Sequence, residues 1–187
     1  MLGTIIKCPN HKAIKEELLE KITWETDSYL ISHEDENGTL EENGPLTDWQ
    51  NYDEEVDEIG RYPWTPYMQQ YMENAQDAIL STIETQYNTE EAEIDNYWFQ
   101  QYTRNLTHGW HYHWSCLFHA IYYLELPKGT PPTMCKLPGG FEYTPNVKEG
   151  DILIMPSTIC HCSPKNKSDK RKTIIAVNID MIKDYDC

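Results

Sequence analysis

Two histidines separated by one residue, His111 and His113, are the residues in this sequence whose type and spacing best fit chemistry. The residues around them favour a β-strand, in which side chains two apart share one face. Both imidazoles can therefore reach the same point in space, as the ligands of a metal ion must. Five of the seven histidines fall between positions 108 and 161, which strengthens the interpretation as a metal site.

A third ligand should come from a distant strand that closes over this pair. His161 follows a strong predicted strand, residues 150–156, and is the candidate. Two or three side-chain ligands that leave coordination positions open are typical of catalytic metal sites. The sequence therefore predicts a metal centre of His111, His113 and His161.

Arg171 follows His161 by ten residues and opens the last strong predicted strand, with Thr173 two residues further on the same face. A guanidinium inside a small barrel is costly unless it meets an anion, and its planar fork suits a carboxylate. This spacing predicts a pocket for a metal and a carboxylate-bearing small molecule.

The pattern resembles the Fe(II)/2-oxoglutarate-dependent oxygenases, and small bacterial and phage members in particular. The resemblance covers roughly residues 96–180, and the local sequences of residues 109–113 and 149–157 are similar to those of such members. Tyr102 precedes His111 by nine residues, about the spacing of a tyrosine in the prolyl 4-hydroxylase branch. His113 is the departure, since most of that superfamily has Asp there.

The resemblance implies a mainly β fold with N-terminal helices, built on a double-stranded β-helix (a cupin-like jelly roll). It implies an enzyme, a dioxygenase that acts as a hydroxylase and couples decarboxylation of 2-oxoglutarate to succinate with oxidation of a substrate C–H bond. The three histidines would hold Fe(II), O2 would be the other cosubstrate, and ascorbate could serve as reductant. Arg171 would pair with the distal carboxylate of 2-oxoglutarate, with Thr173 and Tyr102 hydrogen-bonding beside it.

Three more residues, His119, Tyr123 and Trp110, are candidates for lining the site. A histidine near a metal is more often a partner of a ligand than a ligand itself, and strand aromatics usually pack. Cys160 and Cys162 flank His161, but their spacing is not that of a zinc site, so we expect buried reduced thiols.

Two other functions remain open at this stage. One is a three-histidine dioxygenase of cupin type that binds its substrate directly and needs no 2-oxoglutarate. The other is a non-enzymatic jelly roll that binds a metal or a carboxylate. Arg171 favours the oxygenase over the cupin-type dioxygenase, because that chemistry would not need an arginine ten residues after the distal histidine.

The periodicity predicts one compact domain, with a helical, acidic extension at 1–95 packed on a β core at 96–187. The resemblance implies that this core is a jelly roll. Helices are expected over 12–22 and 64–87, the second with Pro66 in its first turn. Residues 25–60 hold thirteen Asp or Glu and no Lys or Arg, and indicate a solvated loop, or a lid or docking surface for a basic partner.

Composition limits the partners and the location. The formal net charge of −16 disfavours nucleic acid and anionic membranes, because both attract Lys and Arg. We expect a small-molecule or peptide substrate, neutral or cationic, with a homodimer left open. No signal peptide or apolar run of about 18 residues occurs, which predicts a cytoplasmic protein, in the host cytoplasm if it is viral.

Overall fold

A computed structural model describes residues 3–24, 29–30, 33–34, 40–41, 44–47, 66–89, 91–137 and 139–181. The described helices are α1 (His11–Trp24) and α2 (Pro66–Tyr87). The described strands are β1 (Thr4–Lys7), β2 (Tyr29–Leu30), β3 (His33–Glu34), β4 (Leu40–Glu41), β5 (Leu46–Thr47), β6 (Ala92–Tyr102), β7 (His108–His111), β8 (Phe118–Glu125), β9 (Met134–Lys136), β10 (Glu142–Tyr143), β11 (Asp151–Pro156), β12 (Cys160–Ser163) and β13 (Lys172–Met181).

Antiparallel pairing arranges these strands into two main sheets. The larger has seven strands in the order β1-β11-β8-β13-β6-β5-β2, and the smaller has four in the order β10-β9-β12-β7. Strands β3 and β4 form a separate pair. The chain passes from the smaller to the larger sheet between β7 and β8, and returns between β11 and β12. Such crossings between two sheets are those of a jelly roll, the predicted fold.

Both predicted helices are present. Helix α1 buries Ile14, Leu18 and Ile22, which lie four residues apart and so share one face. Helix α2 starts at Pro66, whose fixed φ suits a first helical turn, and it buries Ala75, Ile79 and Ile83. These apolar faces pack on the larger sheet.

The larger sheet is covered on both sides. Its helix side packs against α1 and α2 through Tyr122, Ile175 and Val177. Its other side faces the small sheet and holds Ile121 and Ile174 in a second apolar cluster. Because side chains alternate along a strand, β8 and β13 contribute to both clusters.

The structure refines several expected boundaries. Strand β7 ends at His111, so His113 lies beyond it, and His161 lies within β12 itself. Much of the acidic 25–60 segment, with its predicted role, lies outside the described residues, but Thr47 is buried and its hydroxyl donates to the Phe99 carbonyl at 2.7 Å. The division at residue 95 stays a prediction, and β6 runs across it.

Five described cysteines are unbridged and buried, as predicted for Cys160 and Cys162. Neither described helix combines the length and the hydropathy needed to cross a bilayer.

Candidate metal centre

Strand pairing brings the three predicted ligands together. His111 closes β7 and lies directly opposite His161 of β12 in the small sheet. His113 follows two residues later, in the segment that leads to β8. Each ring offers a ligand nitrogen, and these nitrogens all lie within 4.8 Å of one another. The three residues can therefore share one ion.

Hydrogen bonds fix which nitrogen each ring presents. The Nδ1 atoms of His111 and His161 lie 2.8 Å from the Gly109 carbonyl and 3.2 Å from the Ile159 carbonyl. The Nδ1 of His113 lies 2.6 Å from the side-chain oxygen of Asn178. Since all three partners are acceptors, Nδ1 carries the proton and Nε2 is the ligand atom, the arrangement found around bound metals.

Burial keeps two of these imidazoles neutral. Desolvation lowers the pKa of His113 to about 4, and burial holds the pKa of His161 well below its usual range. Neutral imidazole is the form that binds a metal, so the donors match a divalent ion such as Fe(II), which accepts imidazole ligands. The residues present fit the metal that the sequence pattern implies.

A cleft opens beside the three rings. Besides the histidine triad, its lining consists of Trp98, Gln100, Tyr102, His108, Ile121, Thr133, Cys162, Ser163, Ile174 and Ala176. The buried ammonium of Lys172 contacts two of these residues: it donates to Ser163 Oγ and lies 4.2 Å from the centroid of the Tyr102 ring. Burial lowers the pKa of Lys172 to about 7. The histidine triad thus forms one part of the cleft wall. The Lys172 ammonium lies behind another part, formed by Ser163 and Tyr102.

Arg171 is not brought to this cleft. Its guanidinium forms two hydrogen bonds with Glu125, at 2.8 and 3.2 Å, and the Thr173 hydroxyl donates to the same carboxylate. Because side chains alternate along β13, Ile174 and Ala176 line the cleft. Ile175 and Val177 face the helices instead. Arg171 is thus paired with Glu125 outside the cleft lining, and Lys172 lies behind the cleft wall, so the carboxylate role of Arg171 stays a prediction.

The other predicted residues take different places. Tyr102 lines the cleft and donates to Gln100 Oε1 at 2.6 Å. Trp110 lies outside the lining, with the Lys136 ammonium 4.2 Å from its ring centroid. Tyr123 is fully buried in the cluster between the sheets. His119 is fully buried and its ring stacks on His113.

Sequence reasoning assigned no role to Lys172, Asn178, Gln100 or His108. The ring of His108 stacks on that of His111, with the two centroids 4.0 Å apart. Lys172 and Asn178 share the two-residue period of Ile174 and Ala176. Once the inward face of β13 was known, this period would have identified Lys172 and Asn178 as inward-facing residues.

Solved structures share this architecture. An oxidoreductase from Burkholderia pseudomallei, described as 2OG-Fe(II) oxygenase family, is 8% identical over 95% of this chain and 84% of its own, with a TM-score of 0.66. A viral collagen prolyl hydroxylase from Paramecium Bursaria Chlorella virus-1, in its 2OG complex, is 13% identical over 98% and 97%, with a TM-score of 0.63.

The fold is that of the 2OG-Fe(II) oxygenases. The predicted double-stranded β-helix is thus confirmed. A third match, the alpha ketoglutarate dependent epimerase SnoN, is 11% identical over 95% of this chain and 77% of its own, with a TM-score of 0.64. No family model matches the sequence, and no curated protein does either. At these identities the 2OG-Fe(II) oxygenase likeness is one of fold, and the reaction has to be argued from the site.

Proposed function

We propose that this protein is an Fe(II)- and 2-oxoglutarate-dependent oxygenase that acts as a hydroxylase. The observation that carries the proposal is the convergence of three imidazoles in a cleft backed by one buried lysine. A metal-binding triad alone would suit many activities. A triad combined with a cation inside an oxygenase-type jelly roll suits a dicarboxylate cosubstrate.

The three histidines would hold the metal through their Nε2 atoms. Bound Fe(II) supplies the redox chemistry that couples O2 to decarboxylation of 2-oxoglutarate, yielding succinate and CO2, and to oxidation of a substrate C–H bond. The chain orients the ligands, because Gly109, Ile159 and Asn178 hold each ring in one tautomer. It also keeps the His113 and His161 rings neutral by burial.

Lys172 would bind the distal carboxylate of 2-oxoglutarate, the role that the sequence predicted for Arg171. Its ammonium is held by Ser163 and by the carbonyl of Pro131 at 3.2 Å, and has no carboxylate partner among the described residues. A buried cation lacking a counter-ion is costly, and an entering carboxylate would remove that cost. Tyr102 lies beside this ammonium and would flank the same carboxylate.

The substrate would be a small molecule or a peptide. The matched structures include a collagen prolyl hydroxylase and an epimerase, so the fold is compatible with a peptide substrate and with a small-molecule substrate. A net charge of −16 favours a neutral or cationic molecule over an anionic polymer.

A three-histidine donor set also suits a dioxygenase that binds its substrate directly. Lys172 argues for 2-oxoglutarate instead, because such a dioxygenase has no use for a buried ammonium near its cleft. Binding assays with 2-oxoglutarate distinguish these two activities.

The test is turnover of 2-oxoglutarate by the purified chain. With Fe(II), ascorbate and O2, we expect succinate and CO2 to form slowly even without substrate, and His161→Ala to abolish both. Under anaerobic conditions, 2-oxoglutarate should also change the visible absorption of the Fe(II) protein. If the wild-type protein neither binds 2-oxoglutarate nor forms succinate, the proposal is wrong.

A further inference from the structure

His119 is a buried histidine in which neither ring nitrogen has a hydrogen-bond partner among the described residues. Its exposed fraction is 0%, and both Nδ1 and Nε2 lack a partner. Asn178, its cross-strand neighbour, already accepts hydrogen bonds from His113 Nδ1 and from the Cys116 thiol. A neutral imidazole has one donor and one acceptor, and buried polar groups are nearly always satisfied. The ring therefore calls for a ligand.

The position of this ring indicates which ligand. Its centroid lies 4.4 Å from that of His113 and 4.4 Å from that of His161. The three triad rings are separated from one another by 4.2, 5.1 and 5.5 Å. His119 is thus as near to two of the metal ligands as those ligands are to each other. Alternation along β8 also places it on the side of Ile121, which lines the cleft.

We propose that His119 is a fourth imidazole ligand, so that the centre can hold a divalent cation such as Co(II) or Zn(II) through four nitrogens. The inference rests on the proposed metal centre and extends it. The nitrogens of His119 lie outside the set that shares 4.8 Å, so coordination requires the ring to turn out of its stacked position on His113. No hydrogen bond within the described chain opposes that turn.

The donor chemistry supports this set. A centre built only of imidazoles, without a carboxylate, suits zinc, copper and nickel as well as iron. Four protein ligands occupy a coordination position that the cosubstrates would use. The four-nitrogen form is therefore a resting form, and 2-oxoglutarate should displace His119 when it binds.

Co(II) substitution of the full chain tests the proposal. Four-coordinate Co(II) absorbs visible light far more strongly than six-coordinate Co(II). We expect an intense band in the wild-type protein that weakens when 2-oxoglutarate is added. His119→Phe, which keeps an aromatic ring, and His119→Gln, which keeps polarity, should both lose the band and bind Co(II) at least about 10-fold more weakly.

His108→Phe is the matched control, because His108 also stacks on a triad ring but lies at the cleft wall. It should retain the intense band. An unchanged spectrum in folded His119→Phe and His119→Gln would overturn the fourth ligand, while a wild-type chain that binds no Co(II) would overturn the proposed function itself.

A measurement on the wild-type protein avoids dependence on the variants. In the proton NMR spectrum of the Co(II) protein, each coordinated imidazole gives its own exchangeable, paramagnetically shifted N–H signal. We expect four such signals, falling to three with 2-oxoglutarate. Three signals before 2-oxoglutarate is added would contradict the inference.

Discussion

Two adjacent residues, Arg171 just before β13 and Lys172 at its start, carry the cations that are candidates for binding the carboxylate of 2-oxoglutarate. Arg171 is paired with Glu125, whereas Lys172 is buried against Ser163 and Tyr102. A one-residue difference on a strand changes the face, so the two side chains serve different parts of the molecule. Variants of Arg171 and Lys172 therefore test which of the two side chains binds the carboxylate of 2-oxoglutarate.

Lys172→Met should weaken 2-oxoglutarate binding by about 10- to 100-fold. The expected loss is a charge-assisted contact of about 1.5–3 kcal/mol, and each 1.4 kcal/mol is about tenfold. Arg171→Met is the matched control and should change binding little. Calorimetric titration of the metal-loaded protein under anaerobic conditions measures both. The opposite ranking would return the carboxylate role to Arg171.

The same lysine predicts a pH dependence. Its pKa is lowered to about 7 in the folded chain, so the ammonium that attracts a carboxylate is lost as pH rises above that value. Affinity for 2-oxoglutarate should therefore decline from about pH 7 upward, by up to about tenfold per unit. Titrations at saturating metal test this, and Lys172→Met should give a flat profile over the same range. A flat wild-type profile would show that Lys172 does not meet the carboxylate.

The histidine triad could be predicted from the sequence, but the cation could not. Spacing along a strand and the clustering of histidines are local properties, and they were sufficient for His111, His113 and His161. The partner of Arg171 depends on the register that sets Thr173 opposite Glu125, and on the irregularity between Thr173 and Ile174. No pattern within residues 161–173 encodes that pairing.

Among the elements, β13 lies in the middle of the larger sheet and contributes to both cores. It lies between β8 and β6, and its fully buried Ile175 contacts the helix-side cluster. Ile175→Ala should lower the free energy of unfolding by about 2–5 kcal/mol, because it leaves a cavity in a packed core.

Ile5→Ala is the control for this change. Ile5 lies on the edge strand β1 with 42% of its surface exposed, so its loss should cost under about 1 kcal/mol. Urea unfolding followed by circular dichroism measures both variants. Equal losses would contradict the central place of β13.

Long periodic elements were predictable and short ones were not. Helices α1 and α2 and strands β6, β8, β11 and β13 have enough residues for their apolar period to appear in the sequence. Strands β9, β10 and β12 span two to four residues each, and exist because the small sheet closes over the site. Such strands depend on tertiary pairing, which a local pattern does not contain.

At the scale of the whole molecule, the proposed metal should stabilise the fold, because its ligands come from β7, β12 and the segment between β7 and β8. A ligand at about 100 times its Kd adds about 2.7 kcal/mol, which corresponds to about 5–10 °C in Tm for a chain of this size. Thermal unfolding with Co(II) and then with excess chelator should show this difference. His111→Ala should remove it, and a metal-independent Tm in the wild-type chain would contradict the centre.

The central position of β13 also has a consequence for biosynthesis. Strands β6 and β8 each pair with β13, and they are made well before it. While the ribosome is still adding residues 172–181, each of these strands has one edge without its native neighbour. Open edges on apolar strands invite wrong pairing between nascent chains. The larger sheet can therefore close only after residues 172–181 have been made, and until then these two edges are open to such pairing.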